Sequence, residues 1–223
     1  MLKKIAALAI LMIMTLAQTA RADETTNLID RIRTRYEGMP AFEANFKQIL
    51  THKESGAKEE RQGRLRFQKP LKIRWQSNAP HEETLLVTDN EIWDYIPEEK
   101  IAYKYSPALV QDSRNLIQVL TGQAALNRDF DVKSDGAEKG RARLILYPNE
   151  PTTQLTEARI WVEPDTGLIR RASIVDFYGN TNDVELTSLS PKDSLPPSTF
   201  KFSPPKGVEV EDRRDATNQE LFK

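Results

Sequence analysis

The chain has 223 residues with 32 Lys+Arg against 33 Asp+Glu, a net charge of −1, and no cysteine. Basic and acidic residues alternate along most of its length, which excludes a polyanion-binding stripe, so neither nucleic acid nor charge-driven attachment to a membrane is expected. Without cysteine there is no disulfide, no thiolate metal site and no thiol nucleophile, and the fold stands on its apolar core alone.

The first 22 residues read as a cleavable export signal. Lys3 and Lys4 precede an apolar run from Ile5 to about Leu16, too short to anchor in a bilayer, and Ala20-Arg21-Ala22 supplies the small residues a signal peptidase accepts. Cleavage after Ala22 leaves a single domain, 23–223, of 201 residues with a net charge near −4. Its first residue would be Asp23, which has no thiol to carry a lipid.

Leu28, Ile29, Ile32 and Tyr36 recur at helical spacing and stop at Gly38 and Pro40, which predicts an amphipathic helix. Phe42, Ala44, Phe46 and Leu50 then repeat with period two. Glu54-Ser55-Gly56 turns the chain into a strand where Leu65 and Phe67 alternate with Arg64 and Arg66, and beyond Pro70 Ile73 and Trp75 alternate with Lys72, Arg74 and Gln76. Strands at Thr84–Thr88, Ile92–Ile96 and Ile101–Tyr105 follow, separated by Asp89-Asn90 and Pro97-Glu98-Glu99. A helix over Asp112–Leu120 interrupts the meander with Leu116, Ile117 and Leu120 on one face. Strands resume at Phe130–Lys133, Arg143–Tyr147, Ala158–Val162, Leu168–Phe177 and Val184–Leu189, with Pro164-Asp165-Thr166-Gly167 as a hairpin turn. Regular short strands with polar turns predict a sandwich or a curved, barrel-like sheet.

Catalytic signatures are missing from this pattern. His52 and His81 have no second ligand at metal-binding spacing, and there is no G-x-S-x-G, no S-x-x-K with K-T-G and no phosphate loop. Glu59-Glu60, Glu82-Glu83 and Glu98-Glu99 are adjacent pairs in polar stretches, where a strand would send them to opposite faces, so they read as solvated charges. The period-two aromatics Trp75, Trp93, Tyr95, Tyr103, Tyr105 and Trp161 are either ordinary core or the lining of a cleft. No familiar catalytic or metal-binding motif is present, no cofactor is expected, and a hydrolase would need an unfamiliar site.

The stretch Gly63-Arg64-Leu65-Arg66-Phe67-Gln68-Lys69-Pro70-Leu71-Lys72-Ile73-Arg74-Trp75 resembles the strand pair of the outer-membrane lipoprotein carrier family, LolA, where a basic residue and a proline precede a short run ending in Trp. Phe42–Gln48 resembles that family's first strand, Val87–Tyr95 its next hairpin and Phe200–Val210 its C-terminal signature. The resemblance implies a mainly β fold with some α: an unclosed antiparallel β-barrel, a strongly curved sheet whose apolar concave face is covered by a lid of short helices. It implies a periplasmic chaperone that binds the acyl chains of triacylated lipoproteins and ferries them from the inner to the outer membrane. It would work as a monomer, with an inner-membrane lipoprotein-releasing transporter as donor and an outer-membrane lipoprotein receptor as acceptor. On this reading Leu65, Phe67, Ile73, Trp75, Leu85, Val87, Trp93 and Tyr95 line the acyl-binding face, and Leu116, Ile117 and Leu120 form the underside of the lid. The family's lid-latching arginine corresponds to Lys69, which lacks arginine's planar fork of donors. The alternative is a lipid- or lipoprotein-sensing regulatory module of similar fold, and an exported hydrolase is a third reading.

Overall fold

The computed structural model describes residues 24–110 and 116–215. The expected signal segment, the first part of the Asp112–Leu120 helix and the chain beyond Asp215 lie outside them.

Residues 24–37 form helix α1. An antiparallel meander follows: β1 (Ala41–Thr51), β2 (Lys58–Gln68), β3 (Lys72–Ser77), β4 (Glu83–Val87), β5 (Ile92–Ile96) and β6 (Ile101–Tyr105). Two short helices, α2 (Leu116–Leu120) and α3 (Leu126–Asp129), lead into a second meander: β7 (Phe130–Glu138), β8 (Arg141–Pro148), β9 (Glu157–Val162), β10 (Ile169–Val175) and β11 (Thr181–Lys192). The short strand β12 (Glu209–Asp212) is the last described element. The second strand begins at Lys58, just after the turn at Glu54-Ser55-Gly56, and α3 and β12 have no counterpart among the expected elements.

All twelve strands form one sheet in the order β12-β6-β5-β4-β3-β2-β1-β11-β10-β9-β8-β7. The two meanders are joined where β1 pairs with β11, from Ala41 opposite Lys192 to Thr51 opposite Thr181. Every pairing is antiparallel except β12 on β6. With β12 and β7 at opposite ends, the sheet is not closed.

Its curvature follows from where the apolar residues meet. One core cluster gathers Phe42, Phe46, Leu65, Phe67, Ile73, Trp75, Val87 and Ile92 from the first meander, together with Leu144, Leu146, Ile160, Ile169, Ala172, Val184 and Leu186 from the second. Residues from both halves reach one cluster only if the sheet wraps around it, which makes this the concave face. The centre is occupied by the chain's own helices, Leu28, Ile32 and Tyr36 from α1 and Leu116, Val119 and Leu120 from α2. Close aromatic pairs fill the wall, Phe42 with Phe67 at 5.4 Å and Phe46 with Trp75 at 4.2 Å between ring centres. Gly63 makes the second pair possible: a Cβ there would lie 1.8 Å from the Gln76 carbonyl oxygen and 2.9 Å from the Phe46 ring.

A second cluster lies on the convex face. Ala41, Leu86, Trp93 and Ala102 alternate with the concave residues and are covered by Leu195 and Phe200, with Tyr95, Phe202 and Val208 packed around them. The C-terminal segment is thus a strap across the outside of β3–β6. It is held by hydrogen bonds from the Arg74 guanidinium to the carbonyls of Thr199 (3.3 Å) and Lys201 (3.2 Å), and from the Leu195 amide to Gln68 Oε1 (2.8 Å).

Candidate functional site

Six of the eight wall residues expected on the concave face are there. Leu65, Phe67, Ile73, Trp75 and Val87 are buried in the concave cluster and Leu85 packs against it. Trp93 and Tyr95 are not: they lie on the convex face, 5.5 and 5.4 Å from the Phe202 ring, beneath the C-terminal strap. The reason is register. A four-residue turn, Thr88–Glu91, places Val87 opposite Ile92 and Leu86 opposite Trp93, and directly paired residues share a face. With Val87 inside, Ile92 and Asp94 are inside, and Trp93 and Tyr95 are outside.

The lid residues meet this wall. Leu116 and Leu120 are buried in the concave cluster and Ile117 packs against it, while Val119, which sequence reasoning did not single out, is fully buried. What docks α2 is Tyr36 of α1, another residue to which the sequence pattern assigns no role beyond the helix face. Its hydroxyl accepts a hydrogen bond from the Ile169 amide (3.2 Å) and donates to the Leu120 carbonyl (3.5 Å), joining α1, α2 and β10 at one buried atom. Burial raises the Tyr36 pKa well above that of a free phenol, so the hydroxyl keeps its proton. Gly122, with φ +66°, lets the chain leave α2 directly across the Tyr36 ring: a Cβ there would lie 2.1 Å from Tyr36 Cγ.

Lys69 stands at the edge of this assembly. Its Nζ donates to the Glu37 carbonyl oxygen at the C-terminal end of α1 (2.9 Å), where a cation also opposes the negative end of the helix dipole. The same side chain borders a cavity of about 250 Å³ between α1 and the α2–α3 segment, lined also by Ile32, Tyr36, Val119, Ala124 and Leu126. That volume falls below the roughly 300–1,000 Å³ typical of small-molecule sites. The space between these helices therefore cannot take a long apolar ligand unless they move.

The concave wall changes character toward β5. Asp94, opposite Leu85 in the ladder, is held there with the Glu83 carboxylate beside it; burial foremost, then Glu83, raises its pKa to about 7, against the pull of Arg61. Arg61 bonds both Glu59 and Glu83, and Asp94 Oδ1 is buried with no hydrogen-bond partner among the described residues. A carboxyl whose pKa is raised on folding keeps a proton that the unfolded chain releases. Its effect on stability is therefore absent below about pH 4, grows unfavourable as pH rises, and levels off above about 7. Asp94→Asn, a neutral mimic of the protonated side chain, should remove that slope and stabilise the protein at alkaline pH by roughly 1–3 kcal/mol. Urea midpoints across the pH range check this, and an unchanged slope would assign the pH dependence to other groups.

His52 and His81 both border a more open cavity of about 720 Å³ at the end of the barrel, with Leu50, Glu59, Ile174 and Asn182. Among the described residues no group of three or more His, Cys, Asp or Glu is placed to hold a metal ion, and no helix is long and apolar enough to cross a membrane.

The concave wall is an apolar sheet face covered by short helices, and comparison with known proteins identifies its family. The family model described as "Outer membrane lipoprotein carrier protein LolA" matches residues 37–203. The chain belongs to the LolA family. A LolA relative named outer-membrane lipoprotein carrier protein, from Proteus mirabilis, is 28% identical over 201 residues, covering 89% of this chain and 92% of that one. Another of the same name, from Salmonella paratyphi B, is 26% identical over 213 residues, covering 96% and 100%. Among solved structures, a conserved protein from Thermus thermophilus superposes with a TM-score of 0.55 at 12% identity, covering 84% of this chain and 98% of that one, a likeness of fold alone. The LolA match begins at the last helical residue of α1 and spans the concave wall, α2, Lys69 and most of the strap.

Proposed function

We propose that this protein is a periplasmic carrier, exported by residues 1–22, that holds the acyl chains of lipoproteins against its concave face and moves them from the inner to the outer membrane. The observation that carries this reading is the apolar interior of an unclosed sheet, filled by the protein's own short helices. Those helices are plugs of the same chemistry as an acyl chain, so cargo and helix compete for one surface. Each methylene taken from water contributes about 0.8 kcal/mol, and displacing α1 and α2 exposes apolar area that offsets much of that gain. The difference gives binding that is firm and reversible, as hand-over between a releasing transporter and an outer-membrane receptor requires. Family membership in a group of binding proteins supports carriage over catalysis.

Within this reading Lys69 restrains the helices from their edge: it fixes the end of α1, and α1 holds α2 through Tyr36. Lys69→Met should cost about 0.5–1 kcal/mol of stability, the value of an exposed charge-assisted hydrogen bond, and should slow cargo release. Lys69→Arg should preserve both properties. Release rates from lipoprotein-loaded protein to acceptor vesicles check this; equal rates for Met and Lys would remove Lys69 from the device.

The carrier reading is tested by purifying the protein from periplasm and measuring bound triacylated lipoprotein by mass spectrometry. Stoichiometric cargo supports it. An apo protein that also takes up nothing from donor membranes would contradict it.

A further inference from the structure

We propose that the hairpin tip between β10 and β11 is a bilayer-docking element, placing the side chains of Phe177 and Tyr178 in the interfacial region of a membrane. Among the described residues these two stand apart, 69% and 72% exposed, against 46% for Val210 and 38% for Ile49. They are not loose ends of a floppy loop. Their rings meet edge to face at 5.6 Å, and the turn beneath them is closed by a dense set of hydrogen bonds. The Phe177 amide donates to the Thr153 carbonyl (3.0 Å), and the Gly179 amide donates to the Asp176 carbonyl (3.1 Å). The Asp176 carboxylate accepts from both the amide and the side chain of Asn180, each at 2.8 Å. Gly179, at φ +80°, allows the reversal. The neighbouring β1–β2 tip braces it, since the Lys53 amide donates to Asn180 Oδ1 (2.9 Å). Two strands thus hold a pair of aromatic rings out into solvent.

Several features point to a bilayer as the occupant. Both rings stand at a hairpin tip and are more than two-thirds exposed, so they offer a protruding pair rather than a receiving groove. Two partly exposed aromatic side chains offer a few hundred Å² at most, well short of the roughly 1,000 Å² that a specific protein interface needs. Partition into an interface needs no matching shape, and a Phe–Tyr pair suits a zone that is apolar on one side and wet on the other. Lys53 and Glu54 on the bracing tip offset each other and Asp176 adds a negative charge beneath the rings, so ring burial, not charge, carries the attachment. The location also fits: Asp176 and Asn180, which flank the rings, line the open cavity at the end of the barrel. Docking here would turn that mouth toward the membrane.

The test uses cargo-free protein and vesicles of phosphatidylcholine, and separately of phosphatidylethanolamine with phosphatidylglycerol, so its failure would leave the carrier reading standing. The protein should co-sediment with both, with little sensitivity to salt. The double substitution F177S/Y178S should lower the bound fraction about tenfold while leaving the unfolding midpoint unchanged, because both side chains are exposed. The control I49S/V210S should bind like the parent. In a second measurement, the added fluorescence of F177W should be quenched by lipids brominated on their chains. No vesicle binding by the parent, equal binding by F177S/Y178S, or binding to anionic vesicles alone that salt abolishes would each overturn the proposal. So would a role of the pair in capturing a protein receptor without vesicle binding.

Discussion

Gly122→Ala should destabilise the protein by about 3–5 kcal/mol, a large penalty for one added carbon. Two costs act together. The residue has φ +66°, where an L side chain is strained, and its Cβ would fall 2.1 Å from the Tyr36 ring, which cannot retreat without losing its bonds to Ile169 and Leu120. Tyr36→Phe isolates the second part: it keeps the ring, leaves the Ile169 amide and Leu120 carbonyl without their hydroxyl partner, and should cost about 1–2 kcal/mol. Because the damage falls on the joint between α1 and α2, Gly122→Ala should also raise binding of an apolar dye at low urea, while Tyr36→Phe raises it less. Urea denaturation and dye fluorescence check both. An Ala variant as stable as the parent would show that the Gly122–Tyr36 contact does not hold the lid.

A comparable loss is expected from Ile73→Glu, by a different route. Ile73 is fully buried at the centre of the concave wall, between Phe67 on β2 and Val87 on β4. The substitution puts an unpaired carboxyl into that wall, at a cost of about 3–5 kcal/mol in the closed state. The same change favours any state in which helices lift and water enters, and it places a charge in the proposed acyl path. Lipoprotein transfer should therefore be lost even under conditions where circular dichroism shows the sheet intact. Ile73→Leu conserves volume, should cost less than about 1.5 kcal/mol, and should transfer like the parent. Undiminished transfer by a folded Ile73→Glu protein would take Ile73 out of the site.

How much of this was legible in the sequence depends on what kind of contact sets each feature. Period-two alternation in β1, β2 and β3 gives the inner face directly, because Phe42, Phe46, Leu65, Phe67, Ile73 and Trp75 all share one phase. The same rule failed at Trp93 and Tyr95, where aromatic size suggested a lining role while the ladder put them outside. The signal was present: with Val87 inside, a four-residue turn requires Ile92 to be inside too. Asp94 hid it, since a carboxylate on an apolar wall is the less expected choice, and its raised pKa is the consequence of that placement. The strap was hidden for another reason. Phe200 and Phe202 cover Trp93 from about a hundred residues away along the chain, and no local pattern encodes such a contact. Tyr36 and Gly122 belong to the same class, an aromatic and a glycine that acquire meaning only when two helices meet. The Lys69 contact with α1 follows from the turn that begins β3, which brings the position after Gln68 back to Pro40 through an amide–carbonyl bond of 2.9 Å.

If acyl chains lie on the concave face beneath α1 and α2, site-specific photo-crosslinking should find them there. A photoreactive phenylalanine analogue would be placed in turn at Trp75 on the concave wall and at Trp93 beneath the strap. Each protein would be loaded with lipoprotein from donor membranes, irradiated, and the adduct mapped by mass spectrometry. Adducts on the acyl chains are expected from position 75 and none from position 93. Crosslinks from 93 with none from 75 would refute the carrier geometry, placing the cargo on the convex face and leaving the interior as core alone.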